Sequence, residues 1–177
     1  MGQNLATTHY NDGSDIPLVT DNSLWNNLAT PGYCFYDNDA FNIMKNTYGA
    51  LYNWYSVNTG RLCPSGWHVP SEVEWSTLLT NLGGESIAAG GLKEAGTEHW
   101  QYPNTRATNE TGFTALPGGS RNNNYNFQSI GHYGTWWSVS ESDSQNAYFH
   151  TMSYSSNNVT PGIFLKTSGY SVRCLKD

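Results

Sequence analysis

The clearest periodicity in the chain begins at Pro70-Ser71-Glu72-Val73-Glu74-Trp75. Ser71 suits a helix N-cap there, and Glu74, three residues on, can reach back to complete a capping box. Trp75, Leu78, Leu79 and Leu82 follow at helical spacing, and Gly83-Gly84 ends the element. A shorter helix is predicted over residues 22–29, capped by Asp21, with Leu24, Trp25 and Leu28 on one face and Pro31-Gly32 as its stop. Elsewhere the apolar positions come in short runs punctuated by Gly, Asn and Pro. These runs predict strands over residues 50–55, 67–69, 112–116, 134–140, 146–154 and 170–175. In the fifth of them the alternation sets Tyr148, Met152 and Tyr154 towards a core and Phe149, Thr151, Ser153 and Ser155 on a displayed face. Two helices packed on short antiparallel sheets, with much irregular loop, make an α+β class, expected as a single domain over residues 1–177.

Composition narrows the function classes. A chain of 177 residues can bury a real core, and no composition break divides it. Aromatic residues make up 14% and charged residues 12%, about half the usual charged share. An excess of Tyr, Trp and Asn suits recognition surfaces. The net charge of −6, with eight basic residues scattered along the chain, argues against a nucleic-acid partner. No apolar run approaches the roughly 18 residues that span a bilayer, so direct membrane insertion is not expected. The opening Met1-Gly2-Gln3-Asn4 has no basic or apolar signal region, so any export signal has been removed or never existed.

The three cysteines, Cys34, Cys63 and Cys174, lack metal-ligand spacing. In an oxidising compartment a disulfide between Cys63 and Cys174 is plausible, with Cys34 left over. The alternative is three reduced core cysteines.

The stretch from Arg121 to Cys174 alternates signature residues with positions that look freely substituted. The framework reads Gly131, Gly134, Trp136-Trp137-Ser138, Glu141, Ala147, Tyr154, Val159, Gly169 and Ser171-Val172-Arg173-Cys174. Between these lie the candidate ligand-binding residues Ser129, His132, Tyr133, Thr135, Ser142, Asp143, Phe149, Thr151, Ser153, Ser155, Ser156, Thr160, Gly162, Ile163 and Phe164. They share no property except being small, aromatic or weakly polar. Chemistry needs particular groups in particular places, whereas a surface built to change partners needs a stable scaffold under replaceable side chains. Tyr133, Phe149, Ile163 and Phe164 would be its anchors, with residues 162–164 in a Gly-containing connection before the last strand.

Other residues invite sharper roles, each against a plainer one. Trp136-Trp137 could stack on sugars, although at least one of the pair should be core. Glu141 and Asp143 could coordinate calcium. His68 could be a general base, but its Gly66-Trp67-His68-Val69-Pro70 setting favours a structural His. Lys93, Glu94 and Arg173 read as ion pairs or solvated charges. No nucleophile elbow G-x-S-x-G is present, so no enzyme and no cofactor are expected.

Several long motifs occur in order: Tyr48-Gly49-Ala50-Leu51-Tyr52-Asn53-Trp54-Tyr55, Cys63-Pro64-Ser65-Gly66-Trp67-His68-Val69-Pro70-Ser71, Gly112-Phe113-Thr114-Ala115-Leu116-Pro117-Gly118-Gly119, Trp136-Trp137-Ser138 and Ser171-Val172-Arg173-Cys174. With Tyr10-Asn11-Asp12-Gly13 they make the whole chain resemble the Fibrobacter succinogenes major paralogous domain. The resemblance implies a C-type-lectin-like fold, a scaffold shared with formylglycine-generating enzymes. It also implies an extracellular binding role on a bacterial surface or phage virion. Some relatives are variable proteins of diversity-generating retroelements, whose randomised codons yield residues such as Ser, Thr, Tyr, His, Phe, Asp, Ile and Gly but never Trp, Met, Gln, Lys or Glu. Every candidate residue above belongs to the permitted set. The resemblance therefore points to a diversified receptor-binding module that recognises a protein or glycan on another cell. The alternative is a calcium-dependent lectin or adhesin with a fixed site, although the chain lacks the Glu-Pro-Asn and Trp-Asn-Asp tripeptides of such lectins. A remoter one is an oxidase of the formylglycine-generating type. It would need paired reactive cysteines, and Cys174 stands alone in the C-terminal third.

Overall fold

The capping box at Ser71 forms as the sequence predicts, its Oγ accepting from Glu74 N while the Glu74 carboxylate accepts from Ser71 N. The computed structural model describes residues 1–39, 43–122 and 126–177. Helices are α1 (Asn22–Asn26), α2 (Ile43–Tyr48), α3 (Trp54–Val57), α4 (Glu72–Asn81) and α5 (Ala88–Leu92). Strands are β1 (Tyr33–Cys34), β2 (Leu51–Tyr52), β3 (Trp67–His68), β4 (Gly118–Arg121), β5 (Phe127–Ile130), β6 (Tyr133–Glu141), β7 (Asn146–Ser153), β8 (Val159–Leu165) and β9 (Leu175–Lys176). The class is α+β, with more and shorter helices than the two expected.

Local chemistry explains the departures. Asp21 caps α1 through Leu24 N, but Leu24 is 65% exposed and only Trp25 is buried, so the helix packs through one residue. The run from Ala50 stops being a strand at Tyr52, because the Asn53 side chain accepts from Ser56 N and starts α3. Residues 112–116 contribute only a bridge between Ala115 and Lys93, and the strand lies at Gly118–Arg121 instead. Residues 170–175 likewise make bridges at Tyr170 and Ser171, and pairing resumes only in β9 against β3.

The main sheet has five strands in the order β5-β4-β6-β7-β8. The β4–β6 pair is parallel, through Gly119 and Gly134, and the others are antiparallel. β8 occupies the segment expected to be a connection. Pro161 is tolerated there because β8 is an edge strand. Val159 N already points away from β7, to Glu85 O at 2.8 Å, and two residues on Pro161 turns its missing donor the same way.

Trp136 and Trp137 point to opposite faces of this sheet and both are fully buried, which removes the stacking-platform role. Trp137 joins Tyr52, Trp54, Ala147 and Tyr170 in one cluster, while Trp136 joins Trp75, Leu79, Trp100, Met152 and Val159 in another. A small cluster of Trp25, Cys34 and Leu51 completes the buried set. The chain ends run together, with Leu5 N donating to Val172 O at 2.9 Å. Cys63 and Cys174 are bonded across 111 residues of sequence. A loop of that length constrains the unfolded chain by about 4 to 5 kcal/mol in the entropy account. Cys34 is free and buried, and burial pushes its thiol up to about 12.

Two charges expected to be paired or solvated are neither. Arg173 is buried and donates to Asn4 Oδ1 and to the carbonyls of Met1, Phe113 and Thr114. Lys93 is buried too and bonds only carbonyls. Glu94 does pair, with His99 at 2.9 Å.

Candidate binding surface

In an antiparallel ladder, directly opposed residues share a face. The register therefore stacks Tyr133 with Ser153, Thr135 with Thr151 and Thr160, and Trp137 with Phe149 and Gly162, with Ala147 and Phe164 as the last row. Ten of the candidate residues sit on strands, and this one face collects Tyr133, Thr135, Phe149, Thr151, Ser153, Thr160, Gly162 and Phe164.

The face is open at one end and closed at the other. At the open end Tyr133 is 42% exposed, Thr160 is exposed, and Thr151 and Ser153 are half-buried. Thr135 is not displayed: it is 7% exposed, because its hydroxyl turns in to Thr151 Oγ1 at 3.1 Å. Thr151 in turn donates to Gly134 O. At the closed end Tyr170 covers Trp137 and Phe149, with ring centroids 4.5 and 5.3 Å away. Phe149, expected as an exposed anchor, is half-buried there. Its ring lies across Gly162, where an added Cβ would collide with Phe149 Cζ.

The remaining candidates divide by position. His132 is exposed, with its ring edge-on to Tyr154 at 5.2 Å. Ser129 sits at φ +67° in the same tight turn, its carbonyl accepting from His132 N at 3.0 Å. Beyond β7, Ser155 is exposed, Ser153 Oγ accepts from Ser155 N, and Ser156 Oγ accepts from Asn158 N. These turns border the open end. Ser142 and Asp143 are exposed but lie in the β6–β7 turn at the far end of the sheet. Ile163 is 49% exposed yet pairs with Tyr148 and so faces the opposite side from Phe164, which is 40% exposed. The four expected anchors, Tyr133, Phe149, Ile163 and Phe164, therefore do not share one surface.

The carboxylates proposed for calcium are engaged. Glu141 accepts from Lys166 Nζ at 2.6 Å. Asp143 accepts from Asn146 Nδ2 and from the Gln145 and Asn146 amides, and the Asn146 side-chain bond leads in holding its pKa below the usual carboxylate value. The described residues that could hold a metal are Glu94, Glu98 and His99, whose ligand atoms lie within 4.8 Å of one another. His99 Nδ1 is already 2.9 Å from both Glu94 oxygens. His68 bridges Asp177 at 2.6 Å and Glu74 at 2.7 Å, and these bonds, that to Asp177 foremost, raise its pKa. It ties α4 to the chain end, which is a structural role.

Sequence reasoning missed Tyr102, which is 77% exposed. Gln101 N donates to Gly131 O and Thr105 N to Tyr154 O, both at 2.8 Å, so Tyr102 belongs to the open end. Its signal was an aromatic residue before Pro103 in an otherwise polar run. His150 was missed as well. It is 2% exposed, stacks on Trp75 with centroids 4.5 Å apart, and bonds Glu72.

The family model of the Fibrobacter succinogenes major domain matches residues 1–176. No curated protein and no solved structure matches the chain.

Proposed function

We propose that this chain, which belongs to the Fibrobacter succinogenes major domain family, is a non-catalytic binding module with a diversified contact surface. The surface is the open end of the β6–β7–β8 face, built from Tyr133, Thr151, Ser153 and Thr160, and bordered by His132, Ser155 and Tyr102. Its partner is a protein or glycan on another cell. The carrying observation is the register, which gathers side chains scattered over 28 positions, 133 to 160, onto one open patch.

Burial supports the reading. Trp136, Trp137, Met152 and Lys166, which codon randomisation of this kind cannot produce, are buried, whereas the patch residues are all of permitted types. Gln128, Glu141 and Gln145 are exposed but lie outside the patch. The Cys63–Cys174 bond favours an oxidising compartment, hence an exported or virion-borne protein. The adjacent chain ends suit a C-type-lectin-like scaffold. No helix of the described residues is long and apolar enough to cross a membrane.

The test is binding to intact cells of co-resident bacteria by the wild-type protein and a Tyr133→Ala/Thr160→Ala variant. Binding should be lost while the melting temperature stays within about 2 °C. Undiminished binding by the folded variant would exclude this patch. EDTA should leave binding unchanged. A melting temperature several degrees higher in calcium would favour a calcium lectin instead. A near-identical template repeat beside a reverse-transcriptase gene in the flanking DNA would test diversification directly.

A further inference from the structure

We propose that Lys93 and Lys166 are positioning residues that hold the main chain of the two turns flanking β7 from beneath, so that side chains there can change without moving the backbone. The proposal rests on reading these turns as display positions. The two lysines act at opposite ends of the sheet.

Lys93 is fully buried, and its Nζ donates to Thr105 O at 3.0 Å, Ser153 O at 3.1 Å and Ser156 O at 2.9 Å. An ammonium group has three donors and no acceptor. Here each donor meets a carbonyl from a different strand end or turn, and the loop carrying Tyr102 is joined to the β7–β8 connection. No charged side chain among the described residues offsets the burial, which lowers the Lys93 pKa to about 8. A buried cation without a counter-charge is unfavourable unless its donors are all used. No neutral side chain brings three donors to one atom, so the carbonyl requirement explains why a lysine stands here.

Lys166 repeats the arrangement at the β6–β7 turn. It is 4% exposed, and its Nζ donates to Asp143 O at 2.8 Å, Ser144 O at 3.0 Å and Glu141 Oε1 at 2.6 Å, while lying 4.6 Å from the Trp54 ring centroid.

The choice of acceptor is the point. Within the same turns, the bonds from Ser155 N to Ser153 Oγ, Asn158 N to Ser156 Oγ and Gln145 N to Asp143 Oδ1 depend on particular side chains and vanish on substitution. A carbonyl is offered by every residue type. The lysine bonds therefore survive changes at Asp143, Ser153 and Ser156 that the side-chain bonds do not.

Amide hydrogen exchange tests this without any ligand, so its outcome is separate from that of the binding test. Lys93→Met should raise exchange roughly tenfold or more at Thr105 and Ser156 and leave Ser142 and Asp143 as in the wild type. Lys166→Met should do the reverse. Ser155→Tyr should leave exchange near Ser156 unchanged in the wild type but raise it further in Lys93→Met. Ser142→Tyr should show the same dependence on Lys166 alone. Uniform loss of protection over both turns and the central strands would make the lysines ordinary core residues and overturn the proposal, as would no change at either turn. Should Lys93→Met fail to fold, Lys166→Met decides by the same local pattern at its own turn.

Discussion

The two ends of one sheet face differ more than the two faces do. Rows of the β6–β7–β8 ladder that stand two residues apart obey the same alternation. Yet Trp137 is fully buried, while Tyr133, four positions back on the same strand and face, is 42% exposed. What separates them is Tyr170, brought over the closed end by pairing of residues 169–171 with Arg121, Tyr52 and Trp136. Alternation decides which face a side chain takes, but a distant segment decides whether that face is covered.

The largest test of the difference is Trp137→Ala. The side chain is fully buried and its Nε1 donates to Tyr52 O at 2.9 Å, so truncation leaves a cavity and removes one of two hydrogen bonds to a carbonyl that still accepts from Tyr170 N at 3.1 Å. A loss of about 3 to 5 kcal/mol is expected in urea unfolding. A loss below about 1 kcal/mol would mean that the closed end is not closed. Phe149→Ala should come next, at about 1 to 2 kcal/mol, as a half-buried ring gives up part of its transfer energy. Gly162→Ala should cost about 1 kcal/mol by pushing that ring aside. The cost should disappear in a Phe149→Ala background, which a double-mutant cycle reads directly.

Much of the frame was legible because its signals are local. Ser71 and Glu74 stand three residues apart and make the box they predict. The strand over residues 146–153 was likewise legible, although both of its faces carry buried residues, Ala147 on one and Met152 on the other, and the Cys63–Cys174 bond is one of the two readings the sequence left open. The site was legible as a set of residues but not as a surface. Thr135 and Phe149 carry the same kind of sequence signal as Tyr133 and Ser153, and only Thr151 and Tyr170 across the fold turn them inward. His150 is buried because α4 delivers Glu72 and Trp75 to it from more than 70 residues away. β8 was hidden by Pro161-Gly162, which reads as a break until its edge position is known. Lys93 and Arg173 read as ion pairs or solvated charges because most of their partners are main-chain carbonyls, which no side-chain pattern announces.

A smaller effect is expected at the border of the closed region, where His68 joins Glu74 and Asp177. Its folded pKa is raised above the ordinary 6.5, so its contribution is complete below that value and is lost as pH rises through the folded pKa. Relative to His68→Asn, the wild-type protein should lose stability from about pH 6.5 upward. With 40% of the side chain exposed, solvent screening keeps the change below that of either aromatic substitution. Parallel melting curves of the two proteins across pH 6 to 9 would exclude a folded-state role for the raised pKa.

The smallest effect belongs to the open end, where it is also the most discriminating. Tyr133→Ala and Thr160→Ala remove side chains that solvent already reaches, so each should change stability by less than about 0.5 kcal/mol. Thr135→Ala, one row in, removes a buried hydroxyl that meets Thr151 Oγ1 and should cost about 1 kcal/mol. The gradient from Tyr133 through Thr135 to Trp137 along a single strand is then near zero, moderate and large. If Tyr133→Ala cost as much as Thr135→Ala, the open end would be carrying part of the fold, and its side chains could not be exchanged freely for those of another partner's surface.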